Sequence, residues 1–465
     1  MTAGSGNPPR WKQGLALVSL ALSLLLWLNG LQDSLSRPSV GQALNLRQLE
    51  LAVEAEPALP PALRPLLGSS PPLQALDQAL ADTIQRDADA GAPASAAIRL
   101  ERALLLLHLD RPAEAEVLLQ GLAQLPEPGA AGSAEARLAA ALLRADRDPA
   151  LRRWPGQSPL LARWSCEALA GAELAPCASL SAPHTALVRL LAVTLLPGLL
   201  LLLGLGLLLR ELWLWRTGGA APPPPLVGPA LSGLDAVLLI AGGFVVVGEL
   251  LTPLLITPLL NGLLNALAIR SPLREGLSVL VLYLALMSGP LLILRQQLRS
   301  LGPAPAAGWL QFRWRPPGTA WQRALVGVFM VLPVVSLVGW LQGQLWGDPG
   351  GSNPLLDLVL RSQSAPALAC FALTAMVLAP LFEETLFRGV LLPVVGRDLG
   401  PAWGVFVSAL VFAVAHLSLG ELPPLLMLGL GLGWLRWSGG RLSSCVLMHG
   451  LWNGLTFANL LILAG

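Results

Sequence analysis

Residues 14–31 run without a single charge, and comparable apolar stretches follow one another from residue 186 to the C-terminus. A stretch of about 20 apolar residues is the length of one helical membrane span. Hydrophobic residues make up 54% of the 465 and charged ones only 12%, against about 25% charged in an ordinary soluble domain. The charges are also unevenly placed, with 14 basic and 10 acidic side chains from residue 191 onward and the other 34 in the first 190. A formal charge of +2 offers no basic face for a phosphate backbone, which argues against disordered and nucleic-acid-binding classes. Two materials are joined end to end.

Arg10 and Lys12 precede the first run, so residues 1–32 read as a retained N-terminal membrane anchor with a cytoplasmic N-terminus; a cleaved signal peptide is the alternative. Residues 33–185 mix Asp, Glu and Arg with Ala and Leu at helical spacing and read as an exported soluble helical domain. Pro-rich joints at 57–65 and 125–128 divide its helices, with a tetratricopeptide-like rhythm near 95–145. Its only cysteines, Cys166 and Cys177, either pair, if the domain faces an oxidising compartment, or stay as two unpaired structural thiols.

Further apolar spans are expected near 187–209, 232–260, 276–294, 324–341, 366–395, 402–417, 422–436 and 443–463. With the anchor this makes an all-α polytopic transmembrane bundle of about nine spans, the soluble domain being inserted after the first. Arg210, Arg216, Arg295, Arg299, Arg313, Arg315, Arg323, Arg436 and Arg441 fall on the side where Arg10 and Lys12 begin, as the positive-inside tendency requires. Arg270, Arg274 and Arg361 are exceptions. Pro222 to Pro225 read as a stiff extended spacer on the inner side.

A charged side chain in an apolar helix demands a partner or a function. Most charges here sit at span ends, but Phe382-Glu383-Glu384-Thr385-Leu386-Phe387-Arg388 is embedded in one span. Helical geometry places Glu384 and Arg388 on one face, four residues apart, and turns Glu383 about 100 degrees away. Phe412 with His416 and His449 with Asn453 repeat the four-residue spacing downstream, using two of the four histidines of the chain. A glutamate among hydrocarbon favours its protonated form and suits a base that takes a proton from water and returns it to a leaving amine. Glu383 is the candidate base and His416 a candidate partner for the same water. His449 and Asn453 are candidate donors to the oxyanion of a tetrahedral intermediate.

These residues resemble the motifs of the CAAX protease and bacteriocin-processing (Abi) family of intramembrane proteases, which includes the type II CAAX prenyl endopeptidases. The family's Glu-Glu-x-x-x-Arg, Phe-x-x-x-His and His-x-x-x-Asn or Asp read here as Glu383-Glu384-Thr-Leu-Phe-Arg388, Phe412-Ala-Val-Ala-His416 and His449-Gly-Leu-Trp-Asn453, in the same order. The resemblance covers roughly residues 365 to 463. It implies Glu383 as general base, His416 as water-activating or metal-contacting, His449 and Asn453 as oxyanion stabilisers, and Glu384 and Arg388 as supporting charges. Residues 346–465 would then be the catalytic region and 186–345 membrane helices without an assigned role.

A divalent metal such as zinc stays open, with Glu383, His416 and His449 as candidate ligands, since no His-Glu-x-x-His spacing occurs. The expected partners are membrane lipid, a membrane-associated peptide or protein substrate, and a protein partner for residues 33–185; the expected site is the plasma or thylakoid membrane. At 1.5 Å per residue Glu383 lies roughly 26 Å below an outer start at Pro366, and His416 roughly 21 Å above an inner start at Ala402, so either a kink at Pro380 or an inner start below the membrane surface is needed to bring them together. A serine protease reading would need Ser408 near His416, and an aspartyl one lacks embedded aspartates. The rival reading is a non-proteolytic transporter, immunity or scaffold protein, with helix breaks at Gly242-Gly243 or 429–433.

Overall fold

A computed structural model describes residues 9–37, 40–62, 64, 70–89, 95–124, 134–144, 158–170, 177, 180, 182–347, 351 and 353–464. Every regular element among them is helical. The Pro-rich joint at 125–128 and part of that at 57–65 lie outside the described residues. The chain divides into two compact units. One holds residues 1–40, 198–359 and 364–458, and the other residues 41–197, 360–363 and 459–465.

The first unit is the apolar bundle. Its helices are α1 (Arg10–Ser34), and, after the second unit's six helices described below, α8 (Pro183–Arg216, entering this unit at Gly198), α9 (Gly233–Ala266), α10 (Leu273–Arg299), α11 (Pro317–Trp346), α12 (Pro354–Arg361), α13 (Ala365–Leu399), α14 (Pro401–Val414), α15 (Leu422–Gly439) and α16 (Leu442–Ala464). All nine expected apolar segments are helical. Seven of these helices, α1, α8, α9, α10, α11, α13 and α16, are long and apolar enough to cross a membrane. The remaining two are α14, of 14 residues, and α15, of 18 residues including Arg436.

α1 is more than a tether. Its small buried residues Ala16, Ser19 and Ser23 share one face, and Ser23 Oγ donates to the Ala241 carbonyl at 3.1 Å, so the backbones of α1 and α9 approach closely. Lys12 pairs with Asp235, which also closes a capping box with Ser232 at the start of α9. At the other end Arg37 donates to the Leu417 carbonyl and Ser34 Oγ accepts from Leu419 N–H, so the chain after α1 holds the turn that carries His416. The bundle core is aromatic around α13, where Phe382 and Phe387 pack edge-on against Phe244, and Phe387 against Phe412. Residues 311–316 are fixed by Arg441, which donates to the Arg313 and Arg315 carbonyls.

The second unit contains α2 (Val40–Ala55), α3 (Pro72–Asp89), α4 (Ala96–His108), α5 (Pro112–Ala123), α6 (Ala134–Arg144) and α7 (Pro159–Ala170). Leu76 and Leu80 of α3, Leu100 and Leu104 of α4, and Ala115, Leu119 and Leu122 of α5 repeat at helical spacing and bury one stripe each. Successive helices pack on one another, α3 on α4, α4 on α5 and α5 on α6, and α7 returns to α4. Cys166 and Cys177 form a disulfide inside a small apolar cluster with Ala170 and Leu180.

Candidate active site

Two prolines shape the helix that carries the Glu-Glu pair. α13 widens into π-helical turns at Thr374–Leu378 and Thr385–Leu391, and a proline follows each at the second position of the resumed α-helix, Pro380 and Pro393. In the first, Ala379 N–H reaches back five residues to the Thr374 carbonyl and Pro380 has no N–H to give, so the Ala375 carbonyl loses both helical donors. Asn453 of α16 supplies the replacement, its Nδ2 donating to Ala375 O at 2.8 Å. The second repeats the pattern: Leu392 N–H bonds the Phe387 carbonyl, Pro393 offers nothing, and the orphaned Arg388 carbonyl takes Arg436 Nε at 3.3 Å. Proline thus disrupts the span near Pro380 through a widened turn bridged by a neighbouring helix.

Within this frame Glu384 and Arg388 are both fully buried, with Arg388 Nη1 2.9 Å from Glu384 Oε1. Arg388 Nη2 donates to the Gly429 carbonyl at 3.0 Å, and its guanidinium lies 4.4 Å from the centre of the Phe412 ring. Gly429 eases this approach, because a Cβ there would press on Ala409 at 3.0 Å. His449 Nδ1 lies 2.9 Å from Glu384 Oε1, and its Nε2 lies 4.0 Å from Glu383 Oε2. Gly450 beside it lets α16 close on α13, since a Cβ would stand 2.6 Å from the Met376 carbonyl. Glu383 is turned away from Arg388 and is 16% exposed. The Tyr283 hydroxyl donates to its Oε1 at 3.0 Å, while its Oε2 has no hydrogen-bond donor among the described residues.

The motif residues therefore do not all meet. Glu383, Glu384, Arg388 and His449 form one array. His416 lies just past α14, its Nδ1 2.8 Å from the Phe412 carbonyl and its ring 4.7 Å from Phe412, which also packs edge-on against His449 at 5.6 Å. No hydrogen bond or ion pair among the described residues joins His416 to Glu383, Glu384 or His449. Asn453 directs its amide to Ala375 rather than toward Glu383. No three His, Cys, Asp or Glu side chains among the described residues gather as a metal-ligand set, so Glu383, His416 and His449 do not fit zinc as they stand. Ser408 donates to the Phe387 carbonyl at 3.0 Å and serves helix packing.

Three participants were not read from the sequence. Glu249 of α9 takes the Trp27 indole N–H at 3.3 Å and lies near enough to Glu383 and Tyr283 for their charges to interact. Tyr283 is the only tyrosine in the chain, and Glu249 the only charge within residues 236–269; both were available signals. Arg436, read from the sequence only as an inner-side charge following a span, is fully buried, with Nη2 on the Val227 carbonyl at 2.6 Å. Arg388's free carbonyl and the segment after the prolines offer it acceptors inside.

Residues 365–455, which contain the whole motif set, match the family model described as type II CAAX prenyl endopeptidase Rce1-like. This region belongs to the CAAX protease family. The CAAX protease region includes Glu383, Glu384, Arg388, His416, His449 and Asn453, whereas Trp27, Glu249 and Tyr283 reach the site from helices outside it. Residues 41–188 match a domain of unknown function (DUF8675). An uncharacterized 24.3 kDa protein of Escherichia coli is 33% identical over 156 residues, which are 32% of this chain and 66% of that protein, just under two thirds of its length. No solved structure matches the chain. With its seven apolar helices the chain is an integral membrane protein, and residues 365–455 form its CAAX protease-type region.

Proposed function

We propose that the chain is a glutamate-dependent intramembrane endopeptidase that hydrolyses a peptide bond of a membrane-associated protein or peptide. The observation that carries this is the asymmetry of the Glu383 carboxylate: Oε1 is oriented by Tyr283, and Oε2 is left 4.0 Å from His449 Nε2. That gap is too long for a direct hydrogen bond and suits one water molecule between the two groups. Glu383 takes the proton of that water, and the hydroxide adds to the scissile carbonyl carbon. His449, with Nδ1–H directed to Glu384, has Nε2 as its reacting nitrogen, and in its protonated form donates from there to the oxyanion. Collapse of the intermediate breaks the C–N bond, and the amine leaves with the proton held by Glu383. Glu384 and Arg388 fix the imidazole and do not touch substrate. His416 as a second partner of the water follows from the family resemblance, and Asn453 acts through the α13 backbone.

The disulfide supports an oxidising compartment for residues 41–188, with the N-terminus of α1 on the cytoplasmic side of a plasma or thylakoid membrane. That domain would recruit substrate or a protein partner. In detergent, the purified full chain should cleave a membrane-tethered peptide, and Glu383→Gln should lower the rate by about 10²- to 10⁴-fold. In membranes the same variant should accumulate an uncleaved precursor. Cleavage unchanged in Glu383→Gln rejects the mechanism and favours a scaffold or transporter.

A further inference from the structure

Alongside the carboxylates, but separated from them, α10 and α13 enclose a groove of about 510 Å³, within the ~300–1,000 Å³ usual for small-ligand sites. Met287, Leu291, Leu294 and Leu298 of α10 line it at helical spacing over about 16 Å, at 1.5 Å per residue. Phe382 forms the facing wall and packs edge-on against Tyr283 at 6.3 Å, and Tyr283, which holds Glu383, is not among the lining residues. Glu383 does not line the groove either. The hydroxyl of Thr385 donates to the Leu381 carbonyl at 2.6 Å, so the apolar length presents no free polar group.

Its mouth is different. Arg295 and Arg299 stand there one helical turn apart, both exposed, and neither has an ion-pair or hydrogen-bond partner among the described residues. Trp309, half buried, closes the same end, and indole rings favour the headgroup level of a bilayer. An apolar slot between membrane helices that ends in two unpaired guanidinium groups matches a hydrocarbon chain ending in an anion, and the planar fork of arginine suits phosphate. We propose that this groove is a binding site for one anionic glycerophospholipid, with an acyl chain along Met287 to Leu298 and its phosphate between Arg295 and Arg299. The site is separate from the peptidase centre and its occupancy does not depend on cleavage.

The test is native mass spectrometry of the delipidated full chain titrated with phosphatidylglycerol, with phosphatidylcholine, with oleate and with inorganic phosphate. One phosphatidylglycerol should be retained in preference to phosphatidylcholine, and Arg295→Gln with Arg299→Gln should weaken its retention about thirtyfold. Leu298→Trp, which fills the groove and spares the arginines, should lower retention as well. Equal retention of the two phospholipids, or an unaltered preference in the double arginine variant, overturns the proposal. So does oleate binding as tightly as phosphatidylglycerol, or displacement of the lipid by inorganic phosphate alone. Circular dichroism of each variant separates loss of binding from loss of fold, and Arg295→Lys with Arg299→Lys, which keeps the charge, should retain part of the preference if the first pair fails to fold.

Discussion

The imidazole of His449 and the carboxylate of Glu384 meet at 2.9 Å, on the same oxygen that Arg388 approaches at 2.9 Å. One carboxylate thereby fixes both a cation and the orientation of a ring, as the buried acid of a hydrolase triad fixes its histidine. Glu384→Gln keeps the shape and removes the charge. Its kcat should fall by about 10²- to 10⁴-fold with KM changed only a few fold, because the loss is of transition-state geometry and not of substrate contact. Steady-state kinetics on a tethered peptide checks this, and a variant that raises KM alone would show that Glu384 faces substrate.

Arg388 is the larger stability risk. It is buried with Glu384, donates to Gly429 and lies over Phe412, so Arg388→Ala leaves a carboxylate with no cation beside it and a carbonyl without its donor. The expected cost is about 3–5 kcal/mol. Arg388→Lys should recover only part of this, since one ammonium cannot reach the carboxylate and the carbonyl with the planar fork of arginine. Thermal unfolding of both variants in detergent, followed by tryptophan fluorescence, should rank them in that order.

Asn453 makes a sharper test, because its partner is missing for a covalent reason. Pro380 has no N–H, Ala379 N–H is engaged with Thr374, and Asn453 Nδ2 fills in at Ala375 O. Asn453→Leu should destabilise the bundle by about 1–3 kcal/mol. Placed on Pro380→Ala, which returns an N–H to the helix, the same substitution should be markedly milder, a coupling of about 0.5–3 kcal/mol. Strict additivity of the two substitutions in thermal unfolding would show that the amide does not support α13.

The sequence revealed the helices and the Glu384–Arg388 pair because both depend on local spacing, apolar run length for the first and a four-residue offset for the second. It misplaced Asn453 for a reason equally local: the widened turn before Pro380 creates an acceptor that no motif records. Glu249 and Tyr283 escaped because their relation to Glu383 joins three different helices, and packing between helices is not written in the periodicity of any one of them. Arg436 read only as an inner-side charge since its position following a span is ordinary, while its acceptor, the Arg388 carbonyl, exists only because Pro393 frees it.

The second unit carries a pH dependence of its own. Glu101 of α4 is buried beside Glu50, and burial first, then the neighbouring Glu50 charge, push its carboxyl well above the usual carboxylate range. Glu54, also buried, is raised by desolvation against the partial relief of a hydrogen bond from Ala182 N–H at 3.2 Å. Between the unfolded glutamate pKa of about 4.3 and these raised values the folded domain holds protons that the unfolded chain has released. Its stability from these two groups is therefore fully present below that unfolded pKa and declines as pH rises through the folded values. Hydrogen exchange of α2 and α4 in the full chain, corrected for intrinsic rates, should show protection falling from mildly acidic toward neutral pH. Glu101→Gln keeps the side-chain shape without a charge, so it should flatten that fall and raise protection at neutral pH; an unchanged slope would mean that Glu101 does not carry this pH dependence.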